Sequence, residues 1–257
     1  MIGLGLNTAA DTSHPTLFGG LPAETQNFSV YLDGASDRIQ GQSLATTWLK
    51  VMDANAAFTI HFSVKLDALN STISLTGTAT TFIWFVVDAG GDLTIQATNS
   101  NVVQGLETWN TNFSTGTWYD IVITATDDTT RDIKCYVNKV EKSSTAVSSW
   151  AASYDVAAQS GKFTFGTFLN IVDYDLRIDR VASWSSVLTS AEITEIYDNY
   201  PDLTADSGNY ASSNRLVTYY KMEEGTGTTM SDSSGNSNND LSVVNATSNF
   251  WSSDTRI

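Results

Sequence analysis

Residues 177–200, RIDRVASWSSVLTSAEITEIYDNY, decide the fold. The first part reads as the end of a strand, and the second is the one convincing helix of the chain. Thr189 is placed to cap that helix, and Glu192, three residues on, can reach back to close a capping box. Ile193, Ile196, Tyr197 and Tyr200 fall at i, i+3, i+4 and i+7, a single apolar stripe. Pro201 stops it. A lone amphipathic helix directly after a strand, among short Ser/Thr-rich strands, predicts a helix laid against the edge or end of a β-sandwich.

Upstream, the strands are legible from their period of two. FSVYLDG places Phe28, Val30 and Leu32 inward and turns at Asp33-Gly34. AAFTIHFSVKLDA aligns Phe58, Ile60, Phe62, Val64 and Leu66 on one face, the longest alternating run in the chain. An apolar run from Phe82 to Val87, a turn over Asp88–Asp92 and a second strand make a hairpin. TWYDIVITATDDTTRDIKCYVNKVEK makes another, turning at Asp127–Thr130, and Lys162–Ile171 and Tyr174–Trp184 supply the next pair. Strands at this spacing with almost no helix between them predict antiparallel sheets packed face to face. Beyond Pro201 a polar connection leads to a strand from Leu216 to Met222 and a short final strand near Leu241 to Val244.

Composition narrows the function. Of 257 residues only 16% are charged, and acidic residues outnumber basic ones 28 to 13, for a formal charge of −15. A nucleic-acid binder needs Lys and Arg to displace phosphate counterions, so the balance argues against one. It argues equally against docking on anionic lipid. The single cysteine, Cys135, precludes an intrachain disulfide and reads as a small buried core residue. Residues 1–26 are Gly-, Thr- and Ala-rich without a period, an arm that is either disordered or wraps a neighbouring subunit. They carry no signal-peptide pattern, and nothing reaches membrane-spanning length.

These segments together resemble the laminin-G-like members of the concanavalin A-like jelly rolls. FSVYLDGASDRIQ is similar to their entry strand, and AAFTIHFSVKL to the next core strand. Trp118, Tyr136, Val137 and Asn138 match their central hairpin, with Lys139 in place of the usual Gly. Asp179, Leu188, Ser190, Glu192, Ile193 and Tyr197 match their closing strand and helix. The resemblance implies an all-β fold: an antiparallel two-sheet jelly-roll sandwich with one short helix near 190–200. The tail, YYKMEEGTGTTMSDSSGN, resembles the strand that normally opens such a domain. Residues 27–257 then form one laminin-G-like domain, with 216–244 returning as a permuted strand block. The other reading is that the block starts a second, truncated unit or pairs with another copy of the chain. A Gly-rich lead without a secretion signal resembles structural proteins of tailed bacteriophages.

The resemblance also points to candidate residues. Asp33, Asp37, Asp179, Asp232 and Asn236 lie in turn segments similar to metal-binding loops, and hard oxygen donors suit calcium. The same residue types also make ordinary turns. Trp48, Trp109, Trp150 and Trp251 fall in polar, loop-like stretches, where an exposed ring could meet a glycan or a protein. Trp84, Trp118 and Trp184 read as core. Paired glycosidase carboxylates are not evident: Asp173 and Asp175 share a strand face without a flanking Glu, while Glu223 and Glu224 would point to opposite faces. His14 lies in the arm and His61 alternates out of a strand, and no Ser-His-Asp pattern is visible. The expectation is a non-catalytic virion structural protein, a jelly-roll module on a phage capsid or tail surface. It would be made in the host cytoplasm, assemble as a homo-oligomer and meet other virion proteins. The alternative is a calcium-dependent carbohydrate-binding or adhesion module. No cofactor beyond calcium is expected.

Overall fold

The computed structural model describes residues 24–33, 37–41, 56–77, 82–126, 132–148, 150, 162–166, 175–236, 240–245 and 250–257. They form two antiparallel sheets. Sheet A runs in the order β10 (Val140–Glu141), β9 (Ile133–Val137), β8 (Trp118–Ala125), β3 (Phe58–Leu66), β13 (Asp175–Trp184), β1 (Ser29–Asp33) and β17 (Trp251–Ser252), with β14 (Leu216–Tyr220) also paired to β13. Sheet B runs in the order β11 (Ser144–Ser148), β7 (Val102–Trp109), β6 (Leu93–Asn99), β5 (Phe82–Val87), β4 (Ser71–Gly77), β12 (Lys162–Gly166), β2 (Arg38–Gly41), β16 (Leu241–Val244) and β15 (Thr229–Met230). The architecture is a jelly-roll sandwich: the alternating runs imply its facing antiparallel sheets, and the family resemblance its jelly-roll form.

The alternation fills the space between the sheets. Phe58, Ile60, Phe62, Val64 and Leu66 of β3 are all fully buried there, against Phe85 and Phe165 from sheet B. Each such side chain contributes roughly 1.5–3 kcal/mol by leaving water. The final strands enter both layers: β14 pairs with the second half of β13, and β16 pairs with β2. The arm expected over 1–26 lies outside the described residues up to position 23, as does the Asp127–Thr130 turn.

The helix α1 (Ser190–Asn199) carries its capping box as the spacing predicts: Thr189 Oγ1 accepts from Glu192 N, and Thr189 N donates to the Glu192 carboxylate at 2.9 Å. Tyr200 ends it in the left-handed region, at φ 45°. The helix packs over the outer face of sheet A rather than along an edge. Ile193, Ile196 and Leu188 meet Val122, Ala182, Trp184 and Tyr219 in a second apolar cluster, which gives the molecule a third layer. Gly208 keeps this layer closed, because a Cβ there would lie 2.3 Å from Glu195 Oε1. The Asn138–Lys139 turn keeps positive φ at both residues, 48° and 63°, so Lys139 takes on the geometry expected of Gly. Among the described residues no helix is long and apolar enough to cross a membrane.

Candidate functional site

In β5 the apolar run FIWFVV is not uniformly core. Ile83, Phe85 and Val87 are buried between the sheets, whereas Phe82, Trp84 and Val86 are half-buried on the other side. The expectation that Trp84 is core is therefore corrected: period-two geometry turns it outward. The register aligns Phe82 with Thr98, Trp84 with Gln96 and Leu106, and Val86 with Thr94 and Thr108. Gln104, unpaired at the register shift between Val103 and Gly105, lies beside them, and together they form a patch on the outer face of sheet B. The Phe82 and Trp84 rings lie 5.3 Å apart. Gln96 Nε2 donates to Thr98 Oγ1 at 2.9 Å, and the Thr94 and Thr108 hydroxyls meet at 2.8 Å, so the polar groups are held in place. The enclosed indole Nε1–H of Trp84 has no acceptor. The Trp84 row extends through Leu75, Thr164 and Gln40 to Ser242. An aromatic ring set among fixed amides and hydroxyls can stack on a sugar face and bond its hydroxyls.

The tryptophans singled out in the sequence lie elsewhere. Trp48 is outside the described residues. Trp109 is 1% exposed, a correction, because β7 turns Gly105, Glu107 and Trp109 inward. Trp150 packs onto that same face, where a Cβ on Gly105 would lie 2.3 Å from its ring. Trp251 is half-buried on the edge strand β17, stacked with Phe250 and Phe28, and its Nε1 donates to Gly227 O at 3.0 Å. Trp118 is also outward rather than core, on sheet A, with Nε1 donating to Asp254 at 3.0 Å.

The five calcium candidates do not converge. Asp33 and Asp37 flank the β1–β2 connection, and burial together with the Asp33 charge and hydrogen bond pushes the Asp37 carboxyl up. Asp232 and Asn236 belong to one turn. Asp232 Oδ1 accepts from Tyr219 N and Ser234 N, and Asn236 Nδ2 donates to Leu216 O. Asp179 is fully buried at a bulge in β13. Asp179 Oδ2 and Asp232 Oδ1 accept from backbone N–H groups, whereas Asp232 Oδ2 is buried without a hydrogen-bond partner among the described residues. Among the described residues no group of three or more His, Cys, Asp or Glu is arranged to hold a metal ion.

Under α1 the structure does join a serine, a histidine and an aspartate. Asp120 Oδ1 bonds His61 Nε2 at 3.0 Å and accepts from Ser63 Oγ at 2.5 Å, while Arg256 Nε donates to Oδ2 at 2.5 Å. The expectation of no such grouping is corrected: His61 and Ser63 come from β3 and Asp120 from β8, so only pairing reveals it. The aspartate sits at the centre and the serine is not bonded to the histidine, unlike a nucleophile–base relay. All three are buried: His61 and Ser63 are 0% exposed and Asp120 is 3% exposed. Burial pushes His61 down, against the opposing pull of its hydrogen bond to Asp120. Burial alone would raise Asp120, but the His61 and Ser63 hydrogen bonds and the Arg256 charge hold it at about 2.

The β13 bulge sets Asp179 and Arg180 against the single residue Ser63. Asp179 Oδ2 accepts from Arg256 N at 2.9 Å, and Gln26, with its amide nitrogen turned inward, donates to Oδ1 at 2.7 Å. Burial, reinforced by the Glu223 charge, pushes Asp179 up to about 7. Arg180 lies over the Tyr200 and Tyr219 rings at 4.2 and 5.1 Å and donates to Pro201 O. This network ties the segment around Gln26, the helix end and residues 250–257 to one sheet face. Glu223 accepts from Asn27 N and Phe28 N, and Glu224 from Ser231 N. Asp173 lies outside the described residues. Burial pushes Glu107, inside the sandwich, up to about 7, and raises the Cys135 thiol well above its usual range.

Comparison with known proteins agrees with this geometry. A family model described as the concanavalin A-like lectin/glucanases superfamily matches residues 33–194. A search of curated proteins finds no match. Among solved structures, a Bacteroides ovatus protein described as carbohydrate-binding superposes with a TM-score of 0.57 at 15% identity, over 85% of this chain and 58% of its own. This chain thus spans little more than half the length of that protein. The CBM40 of a Ruminococcus gnavus IT-sialidase, solved with α2,3-sialyllactose, gives a TM-score of 0.50 at 13% identity, over 67% of this chain and 98% of its own. A tailspike protein of bacteriophage CBA120 gives 0.48 at 13% identity, over 83% of this chain and 35% of its own, too slight a likeness to argue from.

Proposed function

Since the chain belongs to the concanavalin A-like lectin/glucanases superfamily, we propose that it is a non-catalytic carbohydrate-binding module whose contact surface is the outer face of β5, β6 and β7. The observation that carries this reading is the outward Phe82–Trp84 ring pair, set beside Gln96, Gln104, Thr94 and Thr108. A ring offers a sugar its apolar face, and fixed amides and hydroxyls bond the equatorial hydroxyls. The carbohydrate-binding structural neighbours support the same reading. The buried Ser63–His61–Asp120 group supports a structural role, since the aspartate, not the histidine, holds the serine. A calcium requirement would centre on Asp33 and Asp37, the two carboxylates that flank the β1–β2 connection.

An immobilised-glycan array followed by titration calorimetry tests the proposal. Trp84→Ala should weaken the best glycan by about 10- to 100-fold, the loss of one stacked ring being worth roughly 1–3 kcal/mol. Unchanged affinity would remove this face as the site. Calorimetry with Ca²⁺ and with chelator, on the wild type and Asp37→Asn, tests the metal: saturable Ca²⁺ uptake lost in the variant supports it, and no uptake refutes it.

A further inference from the structure

The chemistry of the same face goes further, and the step rests on its being the sugar-contacting surface. We propose that it selects uncharged glycan chains and rejects those carrying carboxylates. None of its nine positions, Phe82, Trp84, Val86, Thr94, Gln96, Thr98, Gln104, Leu106 and Thr108, bears a charge. The row through Trp84 is neutral from end to end: Ser242, Gln40, Thr164, Leu75, Trp84, Gln96, Leu106. Thr164 is 1% exposed, so the open part of the row runs over Trp84, Gln96 and Leu106, about 10 Å at 4.8 Å per strand, room for one or two sugars laid across the strands.

Among the described residues, the nearest basic positions on this sheet flank the row instead of joining it. Lys162 stands opposite Gly77, which is itself opposite Phe82, so it lies two strands from β5. Arg38 is a strand further, on β2, with Nε already donating to Gln40 Oε1 at 3.0 Å. Both backbones are about 12 Å or more from Trp84 at ordinary strand spacing. A carboxylate on a sugar stacked over Trp84 would thus be stripped of water without a counter-charge, which is costly. The −15 net charge repels anionic chains before they arrive.

The test uses matched pairs on the full chain, on an array and by calorimetry: lactose against 3′-sialyllactose, and cellohexaose, xylohexaose and maltohexaose against hexagalacturonate, within a wider set of neutral and acidic glycans. The inference expects a neutral glycan to bind at least 10-fold more tightly than its acidic counterpart, and to lose that binding in both Trp84→Ala and Gln96→Ala. Gln96→Lys should narrow the gap by raising affinity for the acidic member. An acidic glycan that binds best, lost in Lys162→Gln or Arg38→Gln and also in Trp84→Ala, overturns the selectivity and leaves the site in place. Absence of binding across the array, or binding indifferent to Trp84 and Gln96, overturns the site and the selectivity with it.

Discussion

At the scale of single residues, Asp120 and Asp179 show how two buried carboxylates on one sheet face part company. Asp120 collects hydrogen bonds from His61 and Ser63 and the charge of Arg256, and its carboxyl is held at about 2. Asp179 is buried with fewer donors and with Glu223 nearby, and it is pushed to about 7. Removing the Asp120 carboxylate leaves Arg256 without its buried partner. Asp120→Ala should therefore cost about 3–5 kcal/mol in a urea titration. Asp179→Asn should do the reverse at alkaline pH. It keeps an acceptor for Arg256 N and removes a charge that burial disfavours, for a gain on the order of 1–3 kcal/mol at pH 8 and little at pH 5. A loss at both pH values would contradict the account. Neither role was legible in sequence, where Asp179 reads as a loop ligand: its hydrogen bonds come from Gln26 and Arg256, far away along the chain.

At the scale of elements, α1 was the most readable part, because its signals are local. Thr189, Glu192 and the apolar stripe all lie within one helix, and their partners follow from spacing alone. Thr189→Ala should cost about 1 kcal/mol of stability by thermal or chemical denaturation. Glu192 does more than cap, since its Oε1 also accepts from Ser212 Oγ at 2.5 Å and binds the loop after the helix. Glu192→Ala should accordingly cost more than Thr189→Ala, and equal costs would reduce Glu192 to a cap. The strand β5 was harder to read. A run of six apolar residues hides which three face the core, and only pairing with β4 and β6 resolves Trp84 from Phe85. Trp109 failed in the opposite sense: its polar neighbours suggested a loop, but the strand alternation carries it inward.

At the scale of the whole molecule, pH dependence follows from groups in both layers. Asp179 and Glu107 are raised to about 7 from ordinary values of 3.8 and 4.5, so the folded state holds their protons longer than the unfolded chain does. Their contribution is complete below about pH 4 and is lost as pH rises through 7. His61, pushed down by burial, acts oppositely and weakens the fold as pH falls below 6.5. Asp120 adds stability above 3.8 that disappears as pH falls towards 2. The melting temperature should peak in mildly acidic buffer and decline by several degrees towards pH 8.5 for a ΔΔG of a few kcal/mol, with Asp179→Asn flattening that decline. The central claim concerns the other sheet, and residue-resolved NMR tests it most directly. Titrating ¹⁵N-labelled protein with the tightest-binding neutral oligosaccharide should shift amides of β5, β6 and β7 first, around Trp84 and Gln96. Shifts confined to sheet A, to α1 or to the 250–257 segment would contradict the claim.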